Sequence, residues 1–208
     1  MRSARPSSTV APAPVPAIDA AALRDAAMAY LARYAATEAG LRRVLLRRID
    51  RWLRAQADQE AARSAVQAAR READAVIRTL AGLGVINDAG FAESRARSLT
   101  RAGQSRRSVQ AKLVAKGVAP ELAREVADGD APDAELAAAL ILARKRRIGP
   151  YRVVEPDDPR AVRDQELGRL ARAGFPRETA ERALGMDREE AEDRIHALRG
   201  GGEAFDRP

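Results

Sequence analysis

From residue 19 onward the apolar positions recur at intervals of three and four. Leu23, Ala27, Tyr30, Leu31 and Tyr34 make one stripe; Leu41, Val44, Leu45, Ile49, Trp52 and Leu53 make the next. That spacing places side chains on one face of an α-helix. Thr37 stands where the second helix would take its N-cap. Residues 52–70 are helix-compatible but poor in large apolar side chains, which predicts an exposed helical extension. Ala73, Val76, Ile77 and Leu80 mark a third helix, ended by Gly82 and Gly84.

The later helices are shorter. Asn87 and Asp88 cap a fourth, with Phe91, Arg95, Ser98 and Leu99 on one side and a break at Gly103. Ser105 caps a fifth that turns Val109 and Leu113 inward and stops at Gly117. Pro120 suits the first turn of a sixth, which turns Leu122 and Val126 inward. A seventh opens at Pro132, carries Leu136, Leu140 and Ile141, and ends near Ile148 and Gly149. A Pro-rich loop follows. Asp158 and Pro159 read as N-cap and first residue of an eighth helix bearing Val162, Leu167 and Leu170. Gly174 ends it, and Pro176 opens a ninth with Ala180, Ala183 and Leu184.

Two stretches repeat one another. AKGVAPELAREVA (residues 115–127) and RAGFPRETAERAL (residues 172–184) both give a helix end, a glycine, one apolar residue, a proline and a helix start. Gly117 pairs with Gly174, Val118 with Phe175 and Glu121 with Glu178. Recurrence at this length points to an array whose neighbours share a core. The expected architecture is all-α, an elongated array of three tandem three-helix repeats. Its boundaries are a disordered Pro/Ala-rich tail at 1–18, repeat 1 with its helical extension at 19–86, repeat 2 at 87–129, repeat 3 at 130–186 and a charged C-terminal tail at 187–208 that contains a short charged helix candidate.

Composition sharpens this picture. Apolar residues are 46% of the chain but aromatics only 3%. Much of the apolar content is alanine, so the core must be thin and spread out. With no cysteine, disulfides and thiolate chemistry are excluded. The longest strongly apolar run, ELAAALILA (residues 135–143), is far shorter than the roughly 20 residues that span a bilayer. A cytoplasmic, monomeric protein is the expectation.

The charge is +7, which favours partners with negative surfaces. Arg95, Arg97, Arg101, Arg106, Arg107, Lys112 and Lys116 lie within 95–116 without an acidic residue among them. Such a block marks either a solvated face or a surface for an anionic partner. Arg144, Lys145, Arg146 and Arg147 form a second cluster, at a helix C-terminus where cations also complement the macrodipole. Arginines 42, 43, 47, 51 and 54 lie opposite the second apolar stripe, as a solvated face would. Phe91, Trp52 and the tyrosines have the chemistry to stack on bases, yet each lies on an apolar stripe and reads first as core.

Residues 105–126 have the outline of a DNA-reading helix-turn-helix. The helix after the turn, however, carries Glu121, Glu125 and Asp128 against Arg124 alone, and would repel phosphates. DGDAPD (residues 128–133) has a faint calcium-loop look, but lacks the glycine and the terminal glutamate spacing. The one histidine, His196, sits in a charged segment. No phosphate loop, serine elbow or metal cluster is visible, so neither catalysis nor a cofactor is expected.

LGVINDAGFAES (residues 83–94), followed by SRRSVQAKLVAKGVAPELAREV (residues 105–126), resembles the RecX family of RecA regulators. Those proteins carry an acidic-aromatic DD-x-x-[FY]-A segment, then a basic helix, a KG[VI] turn and an acidic helix. The resemblance runs from about residue 23 to 184 and is strongest between 80 and 126. Gly90 stands where a longer residue is common, and the first unit has its extra segment. The resemblance implies a three-repeat helical molecule that binds within the groove of the RecA–DNA filament and restrains recombinase and coprotease activity. Its basic helical faces, residues 95–116 and 144–147, would make the contact. The alternative is a basic helical-repeat DNA-binding protein acting without a recombinase.

Overall fold

A computed structural model of the 208-residue chain describes residues 18–129, 132–154 and 157–200. The N-terminal stretch 1–17 and the glycine-rich end 201–208, both expected as tails, lie outside the described residues, as do the centre of the acidic loop at 130–131 and positions 155–156 of the Pro-rich loop. Among the described residues the fold is all-helical: ten α-helices, one 3-10 turn and no strand. It divides into two compact units. One takes the chain to residue 35 together with 40–85; the other takes 36–39 together with the chain from 86 onward.

The first unit holds α1 (Ala20–Leu31), most of α2 (Glu38–Arg54) and α3 (Arg63–Gly82). Asp19 caps α1, accepting from the Ala22 amide at 2.8 Å. Leu23, Ala27, Leu41, Leu45 and Ile49 are fully buried, and Val66, Ala69, Ala73, Val76, Ile77 and Leu80 of α3 complete the core. Tyr34, placed by spacing on the α1 stripe, is instead exposed beyond the helix end. α2 and α3 run antiparallel, joined by Arg42–Asp74 at 2.7 Å and Arg70–Asp50 at 3.4 Å. Hydrogen bonding from Arg42 holds the Asp74 carboxyl below its ordinary range.

The expected extension at 52–70 is corrected here. α2 stops at Arg54, residues 55–62 turn, and α3 restarts at Arg63. Asp58 takes the Ala61 amide at 3.0 Å, a side-chain turn that competes with helix continuation. Val66 and Ala69 are core residues rather than solvent-exposed ones.

The second unit contains two successive three-helix repeats. The first comprises α4 (Asp88–Arg101), α5 (Arg106–Lys116) and α6 (Pro120–Asp128) around Ala92, Ala96, Leu99, Val109, Leu113, Val118, Ala123 and Ala127. The next comprises α7 (Pro132–Arg146), α8 (Pro159–Arg172) and α9 (Arg177–Gly185), with the 3-10 turn Gly149–Tyr151 between α7 and α8. Asn87, Ser105 and Asp158 cap α4, α5 and α8 with their side chains. The two turns matched in sequence share one geometry. Gly117 and Gly174 have φ of 97° and 92°, and the following Val118 and Phe175 amides each bond back to Leu113 and Leu170 at 3.1 Å. This left-handed closure is open to glycine at little steric cost.

α7 is apolar on every side. Leu136, Ala137, Ala138, Ala139, Leu140, Ile141 and Ala143 are all buried, as expected for a helix surrounded by others. Part of that surround is α10 (Arg188–Gly200), whose Ala191 and Ile195 join the same core. The helix candidate within the charged tail is therefore a helix packed into the core, from residue 188 to 200.

Tyr151 is buried in this core, with the Arg188 guanidinium 5.9 Å from its ring centre. Burial, and next the negative charge of Glu192, push its phenol from 10 up to about 12. The fold holds the neutral phenol, so this contribution to stability is complete below pH 10 and lost as pH rises through about 12. A tyrosinate absorbance titration of the wild type should show a late step that Tyr151→Phe removes. A difference between the two curves that is already complete near pH 10 would mean that the phenol is open to water.

Candidate anion-binding interface

Within the second unit, the start of α5 is fastened to the next repeat. Ser105 is fully buried. Its hydroxyl accepts from the Ser108 amide at 3.2 Å and donates to the Ala173 carbonyl, beyond α8, at 2.7 Å. The Arg106 amide donates to Glu135 of α7 at 2.9 Å. Two glycines fit where no side chain would. A Cβ at Gly103 would lie 2.9 Å from Ile141 and 3.1 Å from the Leu142 amide nitrogen, and one at Gly174 would lie 2.6 Å from Ser105 Oγ. Lys145 adds a bond from its Nζ to the Ala102 carbonyl at 2.7 Å.

The predicted cations divide on this frame. Arg95, Arg97 and Arg101 are exposed on α4, and Arg97 has Glu93 of the same helix at 3.9 Å. Arg106, unlike a residue of a solvated face, is half-buried, its Nε enclosed and its amide on Glu135. Arg107 is exposed beside a groove of 580 Å³ that also contains Asp128, Glu135 and Glu178. The block is thus uncompensated along the sequence but not in space. Lys116 is exposed, and its carbonyl accepts from the Thr37 hydroxyl at 2.8 Å. Arg144 pairs with Glu192 at 2.9 Å and ties α7 to α10.

Arg147 is the exceptional member of its cluster. Its φ is +54°, the one positive value among described non-glycine residues, and it closes α7 through the Ile148 amide on the Ala143 carbonyl at 3.0 Å. A side chain in this conformation costs about 1 kcal/mol or more relative to glycine.

Lys112, Lys145 and Arg146 do converge. Gln104 Oε1 accepts both from Lys112 Nζ at 2.6 Å and from Ser108 Oγ at 2.8 Å. Gln104 and Ser108 line a second groove, of 520 Å³, with Arg146, Arg169 and Arg172. Leu142, Ile148 and Leu170 supply its apolar side. Among the described residues, no carboxylate lines this groove. Arg172 reaches its place by lying over Gly168, whose missing Cβ would sit 3.2 Å from the guanidinium. A glycine inside α8 thereby has a packing reason. Arg169 and Arg172 were not singled out in the sequence. The available signal was their three-residue spacing, which puts both on one face of the last helical turn.

Three guanidinium groups beside one groove could receive an anion. They offer forks for paired oxygen acceptors. Among the described residues, no group of histidines and carboxylates is arranged to hold a metal ion, and no helix is long and apolar enough to cross a membrane.

Comparison with known proteins places these repeats in context. The family model described as RecX, second three-helix domain, matches residues 87–126, the span of α4 to α6. The chain is 40% identical over 154 residues to the regulatory protein RecX of Myxococcus xanthus, covering 74% of this chain and 79% of the relative. It is 42% identical over 112 residues to the regulatory protein RecX of Agrobacterium fabrum, covering 54% and 58% of the two chains. The RecX of Chromohalobacter salexigens is 40% identical over 105 residues, covering 50% and 64%. No solved structure matches significantly.

Proposed function

The chain belongs to the RecX family, and from that membership we propose that it is a regulator, mainly an inhibitor, of the RecA recombinase and its coprotease activity. It acts by binding in the groove of the RecA–DNA filament through the basic helical faces of its second unit. The observation that carries this reading is the 40% identity over 154 residues to a protein named regulatory protein RecX. The charge of +7 and the exposed Arg101, Arg107 and Lys112 support an electrostatic approach to a polyanionic filament. Several weak contacts along a repeating filament add up through effective concentration.

The test is ATP hydrolysis by RecA on single-stranded DNA, titrated with wild type and with an Arg101→Glu, Arg107→Glu, Lys112→Glu variant. Arg106 is left intact because it is half-buried. Wild type should suppress hydrolysis. The variant should keep its melting temperature, need at least roughly tenfold more protein for the same suppression, and lose much of its salt sensitivity. Equal suppression by the folded variant would make this face ordinary solvated surface. A wild type that binds bare DNA and ignores the filament would instead favour the DNA-binding alternative.

A further inference from the structure

The groove between the two repeats of the second unit makes a more specific statement possible. We propose that Arg146, Arg169 and Arg172, with the Gln104 amide, form a clamp for the sugar-phosphate backbone of a nucleic-acid strand. This contact needs no recombinase. It extends the regulatory reading, but stands or falls separately from it.

Three features of the groove support the assignment. The three guanidinium groups share a space of 520 Å³ whose lining has no carboxylate, and among the described residues none of the three has an ion-pair partner. Like charges gathered without compensation repel one another, so the arrangement favours a ligand with several closely spaced negative charges. A nucleic-acid strand supplies one every 3.4 Å or so. Gln104 has its oxygen occupied by Lys112 and Ser108, which leaves its amide N–H groups as the donors for a ligand. The apolar side, Leu142, Ile148 and Leu170, suits sugar and base edges better than the hydrated stems of acidic side chains.

The competing explanation is that these arginines only complement helix dipoles, since Arg146 lies in the last turn of α7 and Arg169 and Arg172 in that of α8. The terminal carbonyls, however, already have other donors. Those of Arg169, Leu170 and Ala171 take the Ala173, Phe175 and Gly174 amides, and that of Ala173 takes Ser105 Oγ. The Ala143 carbonyl of α7 takes the Ile148 amide. The guanidinium groups are not spent on the helix ends.

The deciding experiment is fluorescence anisotropy of a labelled single-stranded oligonucleotide and of its duplex, with no recombinase present, across a salt series. Replacing Arg146, Arg169 and Arg172 together by Gln should weaken binding roughly tenfold or more and reduce the salt slope by about 2 on the single strand. A control removes the same charge from exposed positions of α2, as Arg47→Gln, Arg48→Gln and Arg51→Gln, and should retain most of the affinity. The proposal is overturned if the groove variant keeps wild-type affinity and slope, if the control loses as much, or if poly-glutamate competes as well as the oligonucleotide at equal charge. Should the groove variant fail to fold, phenylglyoxal modification of the wild type decides: the oligonucleotide must protect these three arginines more than Arg47, Arg48 and Arg51. Failure here would leave filament regulation untouched, because that assay reads suppression of the recombinase and not affinity for bare DNA.

Discussion

Replacing Leu113 by alanine is expected to cost about 2–5 kcal/mol. Leu113 is fully buried and lies in the same core as Leu99, Val109 and Val118. Four alanines complete that core: Ala92, Ala96, Ala123 and Ala127. Alanine has no longer side chain to swing into a void, so the hole left by a leucine would stay largely open, and the cost belongs in the upper part of the range. Urea denaturation should show a lower midpoint for this unit with an unchanged slope. Val114, the next residue, is 40% exposed, and Val114→Ala should stay within roughly 0.5 kcal/mol. If the two variants denature together, α5 is rotated from the position described.

Glu166→Ala is the other large loss. Its carboxylate is 4% exposed and takes Arg152 Nη2 at 2.6 Å and Nε at 3.1 Å, with the Gly149 amide at 3.3 Å. Breaking a buried pair strands the partner's charge, at about 3–5 kcal/mol. Arg152 is 31% exposed and can reach water, so about 3 kcal/mol is expected. The pair fastens the 3-10 turn to α8, and its loss should loosen the segment around Tyr151. The double replacement by methionine, Glu166→Met with Arg152→Met, should recover much of the deficit, since apolar residues of similar volume often match a buried pair. Glu181→Gln is the comparison: Arg177 in that pair is 85% exposed, and the change should cost about 0–1 kcal/mol. A Glu166 variant as mild as the Glu181 variant would show that the carboxylate is hydrated.

Much of the helical order was readable in advance because local chemistry determines it. Asn87, Ser105 and Asp158 cap as their side chains allow, and Gly117 closes α5 in the one conformation that excludes most other residues. The failures have particular sources. Residues 55–62 contain neither glycine nor proline, and the turn there is closed by the Asp58 side chain on the Ala61 amide. α10 hides its purpose because only Ala191 and Ile195, four apart, are buried among charges. In α8 the spacing marks Val162, Leu167 and Leu170; Leu170 is buried, but Val162 and Leu167 are half-buried and Glu166 takes a buried position instead. A carboxylate becomes a core residue only when donors from elsewhere in the chain meet it. The same holds for the groove. Runs of charge along the sequence mark 95–116 and 144–147, but Arg169 and Arg172 join Arg146 only through the fold.

The alanines of α7 also constrain how this sequence can change. One base transition converts any alanine codon into a valine codon. On an exposed helix that step is nearly silent. At Ala137, Ala138, Ala139 and Ala143, with 2% exposure or less, two added methyl groups have no solvent to enter and push neighbouring helices apart, typically at about 1–3 kcal/mol. A genome that drifts toward fewer G·C pairs would meet its resistance here, in the smallest side chains of the protein.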